Sequence, residues 1–225
     1  DSDWVSADNH TYENSEGASS AWKTPLGSGR QNYTGIVVHS SSYVNVYNNI
    51  SVAKNSNDQA YVNYVESGWS VSNVNFGSGK NIAGNGTTVA GGNQSLNASD
   101  FTQSNPQFVD DTNSTLSNRD YTLLNNSPAI DSADSTYAVE NDINGISRPQ
   151  GNGDDMGAYE SLNTWTGSAN TSWTNTNNWS AGIVPVSGRS PVISNTANDP
   201  IISSTVTLKD ITVESSASLT IDSSG

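Results

Sequence analysis

The chain has no cysteine and few basic residues. Without cysteine, neither a disulfide framework nor thiolate chemistry is available. Only 8 Lys and Arg stand against 22 Asp and Glu, which gives a net charge of −14. Such a surface repels nucleic acid and anionic lipid. No apolar run reaches the roughly 18 residues that a membrane-spanning helix needs, so the sequence predicts no membrane insertion.

The sequence is also poor in apolar residues and in helix patterns. Hydrophobic residues make up 32% of the chain, too few for one large core. No stretch sustains apolar residues at three- and four-residue spacing. Short β-branched and aromatic runs are bounded instead by Gly, Asn, Ser and Asp, as in strands. The 6 Trp and 9 Tyr need burial and argue against disorder. An all-β fold with a thin, repeated core is predicted.

The short runs recur with a spacing of about 25 residues, which indicates stacked coils. This shift aligns several pairs of residues, among them Ile36 with Tyr61, Val37 with Val62, Val46 with Val71, and Asn48 with Asn73. In a solenoid, like side chains of neighbouring coils stack at the strand spacing of about 4.8 Å. The repeat therefore predicts apolar ladders inside and an asparagine ladder at a turn. Residues 12–32 do not follow the repeat, and a long loop or irregular coil is expected there.

A set of ordered motifs extends over the middle of the chain. The motifs are Asn105–Asp110, Asp120–Leu123, Ser127–Asp131, Asp142–Gly145, Arg148-Pro149 and Asp155–Glu160. Their order resembles the C-terminal end of secreted bacterial right-handed parallel β-helix proteins of the pectate-lyase-like superfamily, including the choice-of-anchor group. The resemblance implies a right-handed parallel β-helix whose coils occupy residues 1–104. Residues 105–160 are then the segment that closes the helix.

A second motif group contains three tryptophans. Trp165, Trp173 and Trp179 are followed by Gly182 and Pro185. This run is similar to a Trp-rich module of large Bacteroidetes surface proteins that are exported by type 9 secretion. The resemblance implies that residues 161–225 are the truncated start of a second β-solenoid module within a longer protein. The tryptophans are expected to form its core. Strands are predicted at three alternating pairs: Val206 and Leu208, Ile211 and Val213, and Leu219 and Ile221.

Carboxylates gather in the closing motifs around one arginine. Asp131, Arg148, Asp155 and Glu160 are predicted to form a structural cap, because an arginine that bridges carboxylates would hold the closing loop over open strand edges. A glycosidase carboxylate pair and a Ca²⁺ site are the alternatives. The Ca²⁺ candidates are Asp142, Asn144 and Asp154. Their run lacks the spacing of a 12-residue calcium loop, and no cofactor is required by the cap.

Two lysines are the candidates for a lyase base. β-Helix polysaccharide lyases remove a proton next to a uronate carboxyl group and use a basic residue for this step. Lys54 and Lys80 lie in or near the repeating coils, but neither belongs to a recognisable catalytic pattern. Solvated side chains are the expectation. No catalytic residue is therefore assigned.

The remaining candidates are isolated residues. His10 and His39 have no metal-ligand spacing. Trp69 is either a core filler or a platform for a sugar ring. Ser132 and Ser135 are candidate glycosylation sites. They lie in the tripeptides Asp131-Ser132-Ala133 and Asp134-Ser135-Thr136, which resemble the short O-glycosylation sequon of exported Bacteroidetes proteins.

The predicted function is that of a structural or adhesive segment of a large secreted, surface-attached bacterial protein. Its expected partners are polysaccharides or cell-surface glycans and the rest of its own chain. The alternative is the C-terminal part of a polysaccharide lyase that acts on acidic glycans of the alginate or pectin type.

Overall fold

The structure is a computed structural model that describes residues 10–12, 24–25, 31–32, 34–39, 45–52, 59–64, 68, 70, 72–84 and 96–222. The fold of these residues is all-β: they form 15 short strands and three one-turn 3-10 helices. The strands are β1 His10–Tyr12, β2 Thr24–Pro25, β3 Gln31–Asn32, β4 Thr34–His39, β5 Asn49–Val52, β6 Gln59–Tyr64, β7 Asn81–Gly84, β8 Thr102–Gln103, β9 Phe108–Asp110, β10 Asp120–Leu123, β11 Thr164–Trp165, β12 Val192–Ile193, β13 Ile201–Ile202, β14 Thr212–Val213 and β15 Thr220–Ile221. The 3-10 helices are Ala98–Asp100, Leu116–Asn118 and Thr176–Asn178.

Most strand pairs are parallel and join segments that are distant in the chain. One sheet has the order β1-β5-β7-β8, and its pairs place Ile50 beside His10 and Ile82, and Ile82 beside Thr102. A second sheet pairs β4 with β6. Parallel pairing of this kind requires a crossover connection, because a tight hairpin reverses the chain direction.

The predicted 25-residue register is confirmed for the pair β4–β6. Ile36 lies beside Tyr61, and Val37 lies beside Val62. Both strands are rich in β-branched and aromatic residues, which fit a pleated, half-buried surface. The spacing predicted from the sequence therefore holds where β4 and β6 match residue for residue.

The same register is wrong for the next strands. Asn45 forms a parallel bridge with Asn75, and the Val46 amide donates to the Asn75 carbonyl. The spacing there is thus larger than 25 residues, and Asn48 lies beside Lys80 rather than Asn73. The physical reason is an insertion in the connection: residues 65–74 connect β6 to this bridge, whereas residues 40–44 connect β4 to it. Val71 lies outside the described residues.

Two antiparallel pairs interrupt the parallel pattern. β2 pairs with β3, within the segment 12–32 that was predicted to be a loop or irregular coil, so this prediction is wrong for those two strands. β9 pairs with β10 through an irregular register. Hairpins of this kind need only a short connection.

The described residues form three core clusters. The first contains Val46, Tyr61, Phe76 and Phe101, with the rings of Tyr61 and Phe101 4.6 Å apart. The second joins β5 and β7 to residues 105–160, here called the closing segment, and contains Ile50, Val52, Ile82, Phe108, Leu123, Ala129, Ala133 and Met156. Burial of this apolar surface favours docking of the closing segment on β5 and β7.

The third cluster lies in residues 164–222. β11, β12 and β14 form one parallel sheet, and β13 pairs in parallel with β15. Strands are present at Val213 and Ile221, as the alternation predicted, but the pair Val206 and Leu208 lies outside any strand. Both residues of that pair instead pack against the tryptophan cluster.

Candidate functional site

Arg148 lies at the centre of a buried polar cluster in the closing segment. Its Nη1 is 3.0 Å from Oε2 of Glu160, and the two side chains are 1% and 0% exposed. The same Nη1 donates to the backbone carbonyl of Asp155 at 2.7 Å, and Nη2 donates to the carbonyl of Gly157 at 2.7 Å. One guanidinium therefore binds a carboxylate and two backbone carbonyls, a use of its fixed fork of donors.

Glu160 accepts backbone amides in addition to the arginine. Its Oε1 accepts from the amide of Gln150 at 2.6 Å, and its Oε2 accepts from the amide of Asp155 at 3.0 Å. Burial, followed by the neighbouring Asp155 carboxylate, raises the pKa of Glu160 to about 8. The two amides and Arg148 act in the opposite direction, because they favour the charged form.

Asp155 continues the cluster on its other side. Its Oδ1 accepts from the amide of Asp131 at 2.8 Å, and its Oδ2 accepts from the amide of Ser161 at 2.7 Å. Burial raises the pKa of Asp155 to about 6, against the effect of these hydrogen bonds. The carboxylate of Asp131 in turn accepts from the amide of Gly153 at 2.9 Å. Each carboxylate thus fixes a backbone segment.

The three predicted calcium ligands differ in their contacts and in their burial. Asp142 Oδ1 accepts from the amides of Asn144 and Ile146, both at 2.8 Å, and its Oδ2 accepts from the amide of Glu160 at 3.1 Å. Asn144 is exposed, while Asp154 is buried. Within the described ranges, no group of three or more His, Asp or Glu side chains is arranged to hold a metal ion. Ca²⁺ binding stays a prediction.

Lys80 is bound to the closing segment, so the prediction of a solvated side chain is wrong. Its Nζ donates to the carbonyls of Ser132 and Ala133 at 3.0 and 3.3 Å. Asn48 binds Asp134, the residue after Ala133, through both polar atoms of its side-chain amide. Its Nδ2 donates to the Asp134 carbonyl at 3.0 Å, and its Oδ1 accepts from the Asp134 backbone amide at 2.7 Å. The residues that precede β5 and β7 are thereby joined to the closing segment by side chains.

The other candidate residues are dispersed. Lys54 and Trp69 lie outside the described residues. His10 and His39 belong to different sheets, β1 and β4. Ser135 is exposed, as an acceptor of a glycan must be.

Ser132 has a structural contact. Its hydroxyl donates to the Ile130 carbonyl at 2.9 Å, and its side chain is half-buried. Of the two predicted glycosylation sites, Ser135 is therefore the more accessible.

An asparagine ladder exists, but with other members than predicted. Asn49 and Asn81 are both buried, and Oδ1 of Asn81 accepts from the backbone amide and the Nδ2 of Asn49, each at 3.2 Å. Nδ2 of Asn81 donates to the Val46 carbonyl at 2.8 Å. Each of the two asparagines directly precedes an isoleucine, and this repeated pair is the sequence signal that could have identified them.

The three tryptophans of residues 164–222, here called the second unit, pack together. The ring centroids of Trp173 and Trp179 are 4.7 Å apart, and those of Trp165 and Trp179 are 5.1 Å apart, both in edge-to-face geometry. Ile193 and Ile202 complete the buried cluster. Burial of these rings inside the unit removes them from contact with a sugar ligand.

Comparison with known proteins gives one match. A family model described as Domain of unknown function (DUF8693) matches residues 164–225, the region that contains β11–β15 and the tryptophan cluster. No curated protein and no solved structure matches the chain. The described part of the chain contains no helix that is long and apolar enough to cross a bilayer. Residues 164–225 are thus similar to a family whose description assigns no activity.

Proposed function

We propose that this chain is a structural or adhesive segment of a large secreted, surface-attached bacterial protein. Residues 1–104 would form the last coils of a right-handed parallel β-helix, residues 105–160 would close it, and residues 161–225 would begin a second β-solenoid module. The parallel ladders between distant segments support the β-helix, since stacked coils produce such ladders.

The observation that carries the proposal is the use of the charged side chains. Arg148 donates to two backbone carbonyls and to Glu160, and Lys80 donates to two further carbonyls. A lyase base must instead reach the proton that it removes from the substrate. Cations held by carbonyls of the same chain suit a scaffold better than a catalytic groove.

The proposed ligands are glycans, bound weakly at many points along an extended surface. Such contacts add through avidity without a deep pocket. The net charge of −14 opposes binding of polyuronates. Neutral glycans, or acidic glycans bridged by Ca²⁺, are therefore the expected partners.

The test combines binding and turnover on the same preparation. The purified chain is presented to immobilised neutral and acidic glycans, with and without Ca²⁺, and is incubated in parallel with alginate, pectate and chondroitin. Unsaturated-uronate absorbance reports lyase activity. Binding without turnover is the expected result.

Two other outcomes change the assignment. Turnover that disappears in Lys54→Ala or Lys80→Ala would replace the scaffold with the lyase. Absence of both binding and turnover would remove the adhesive role and leave a purely structural segment.

A further inference from the structure

Asp199 lies in the second unit between two residues that are held in place. The carbonyl of Asn198 accepts from Nε1 of Trp165 at 2.8 Å, and Nδ2 of Asn198 donates to the Gly167 carbonyl at 2.7 Å. On the other side, the carbonyl of the buried Pro200 accepts from the amide of Thr220 at 3.0 Å. The peptide bond between Asp199 and Pro200 is therefore fixed at both ends.

The carboxyl group of Asp199, a half-buried residue, differs from the carboxylates of the closing segment. Its Oδ1 is buried and has no hydrogen-bond partner among the described residues, whereas the carboxylates of Asp131, Asp142, Asp155 and Glu160 accept backbone amides. An unsatisfied buried oxygen is rare and calls for an explanation. Because no donor replaces the lost solvation, this oxygen is higher in free energy than a hydrogen-bonded one.

The residue that follows makes a reaction accessible. Of the 7 prolines, only Pro200 follows an aspartate. Proline has no backbone N–H, so the bond before it is a tertiary amide. When that bond breaks, the proline nitrogen leaves as a secondary amine. The side-chain oxygen of an aspartate closes a five-membered ring when it reaches its own main-chain carbonyl carbon.

We propose that Asp199–Pro200 is a self-cleavage site. Oδ1 of Asp199 attacks the Asp199 carbonyl carbon, a C–O bond forms, and the C–N bond to Pro200 breaks. The proton of the Asp199 carboxyl group moves to the Pro200 nitrogen, which leaves as the new N-terminus. The resulting cyclic anhydride takes up one water molecule, so that Asp199 becomes a new C-terminus. No oxidant, metal or enzyme is needed.

Cleavage would not by itself separate the two pieces. The amide of Ile201 donates to the Thr171 carbonyl at 2.7 Å, and β12 pairs with β14 across the break. The buried cluster of Trp165, Ile193 and Ile202 also contains residues from both sides. The nicked chain therefore stays assembled until it is denatured. The two pieces of the second unit are then held together by non-covalent contacts instead of a peptide bond.

The test compares the folded and unfolded states of the full chain. Purified protein is incubated at mildly acidic and neutral pH, with and without urea, and the products are separated under denaturing conditions. The expected products are residues 1–199 and a fragment that begins at Pro200, identified by mass and N-terminal sequencing. Cleavage should be at least roughly tenfold faster in the folded chain, because desolvation of one oxygen is worth that factor.

Equal or faster cleavage in urea would overturn the proposal, because it would reduce the reaction to the ordinary acid lability of an Asp–Pro bond. Asp199→Asn removes the carboxyl group, and Pro200→Ala keeps it but replaces the leaving amine. Both variants should lose the cleavage of the folded chain, with tryptophan fluorescence as the check on folding. Cleavage that persists in either folded variant would also overturn the mechanism.

Discussion

At the residue scale, the buried charges of the closing segment bind backbone groups more often than they bind each other. Glu160 illustrates this use, since it accepts two backbone amides besides Arg148. A side chain that binds backbone from a distant position fixes a loop that has few ladder hydrogen bonds of its own. The closing segment consists largely of turns, and its conformation depends on these contacts.

Removal of the arginine should destabilise the chain strongly. Arg148→Ala is expected to lower the free energy of unfolding by about 3–5 kcal/mol, because it leaves the buried Glu160 side chain and the backbone carbonyls of Asp155 and Gly157 without their donor. Arg119→Ala is the matched control: Nε of Arg119 donates to the Asn113 carbonyl at 2.8 Å on a half-exposed side chain, and its loss should cost about 1 kcal/mol. Urea denaturation measures both. Equal losses would refute the role of Arg148 as the anchor.

The raised pKa values of Asp155 and Glu160 predict the pH dependence of stability. In the folded chain the two pKa values are about 6 and about 8, above the ordinary values of 3.8 and 4.5. At pH values between the ordinary and the raised pKa of each group, the folded chain therefore binds more protons than the unfolded chain. The free energy of unfolding should therefore fall as the pH rises from about 5 to about 8. Asp110, whose pKa is lowered, acts below this window.

Glu160→Gln is the control for the pH dependence. It keeps acceptor capacity for the Gln150 amide but cannot ionise, and it should flatten most of the decline between about pH 6 and about pH 8. Urea titrations at several pH values supply the measurement. A stability that increases with pH across the window in the unaltered chain would contradict the prediction.

At the element scale, the strands could be predicted better than their register. The spacing of 25 residues identified the pairing of Ile36 with Tyr61 because β4 and β6 match without an insertion. It failed at Asn48, where extra residues in the connection shift the alignment. Turn insertions leave the alternation inside a strand intact, so a pattern of strands does not reveal them.

Only part of the candidate site could be predicted from the sequence, for a similar reason. The acidic motifs and Arg148 stand close together in the sequence and can be recognised as a group. The contacts of Lys80 and Asn48 with residues 132–134 connect positions far apart in the chain. Such contacts depend on how the closing segment docks, which local patterns do not determine.

Two glycines in one turn provide a matched pair of variants. Gly77 and Gly79 have φ values of 64° and 67°, which are unfavourable for other residues. A Cβ at Gly77 would lie 2.5 Å from the ring of Tyr47, whereas a Cβ at Gly79 meets nothing within 4 Å. The Tyr47 ring cannot move away easily, because it stacks on Tyr137 at a centroid distance of 4.1 Å.

Gly79→Ala should therefore cost only the backbone strain, about 1–2 kcal/mol. Gly77→Ala should cost that amount plus the displacement of a buried ring, roughly 1–3 kcal/mol more. Thermal or urea unfolding of the two variants measures the difference. Equal destabilisation would show that Tyr47 can adjust without loss of packing.

At the scale of the whole molecule, the closing segment and the second unit are joined by hydrogen bonds, one partly buried and one exposed. Gln150 is fully buried, and its Oε1 accepts from the Ser190 amide at 2.7 Å. Ser147 donates from its hydroxyl to the Gly188 carbonyl at 3.2 Å. A junction of this kind resists bending more than a solvated linker does, which suits a segment that transmits position along a surface protein.

Gln150→Ala should loosen this junction without unfolding the second unit. The Ser190 amide loses its acceptor and should exchange with solvent faster, whereas the amide of Val192 keeps its bond of 3.1 Å to the Asn163 carbonyl and should exchange at an unchanged rate. The loss of stability should be about 1–3 kcal/mol, since buried polar groups are left unsatisfied. Hydrogen exchange resolved by residue measures both amides in one experiment. If Val192 and the strands of the second unit also exchange faster, the unit depends on the closing segment for its fold, and the two are one cooperative body rather than two joined ones.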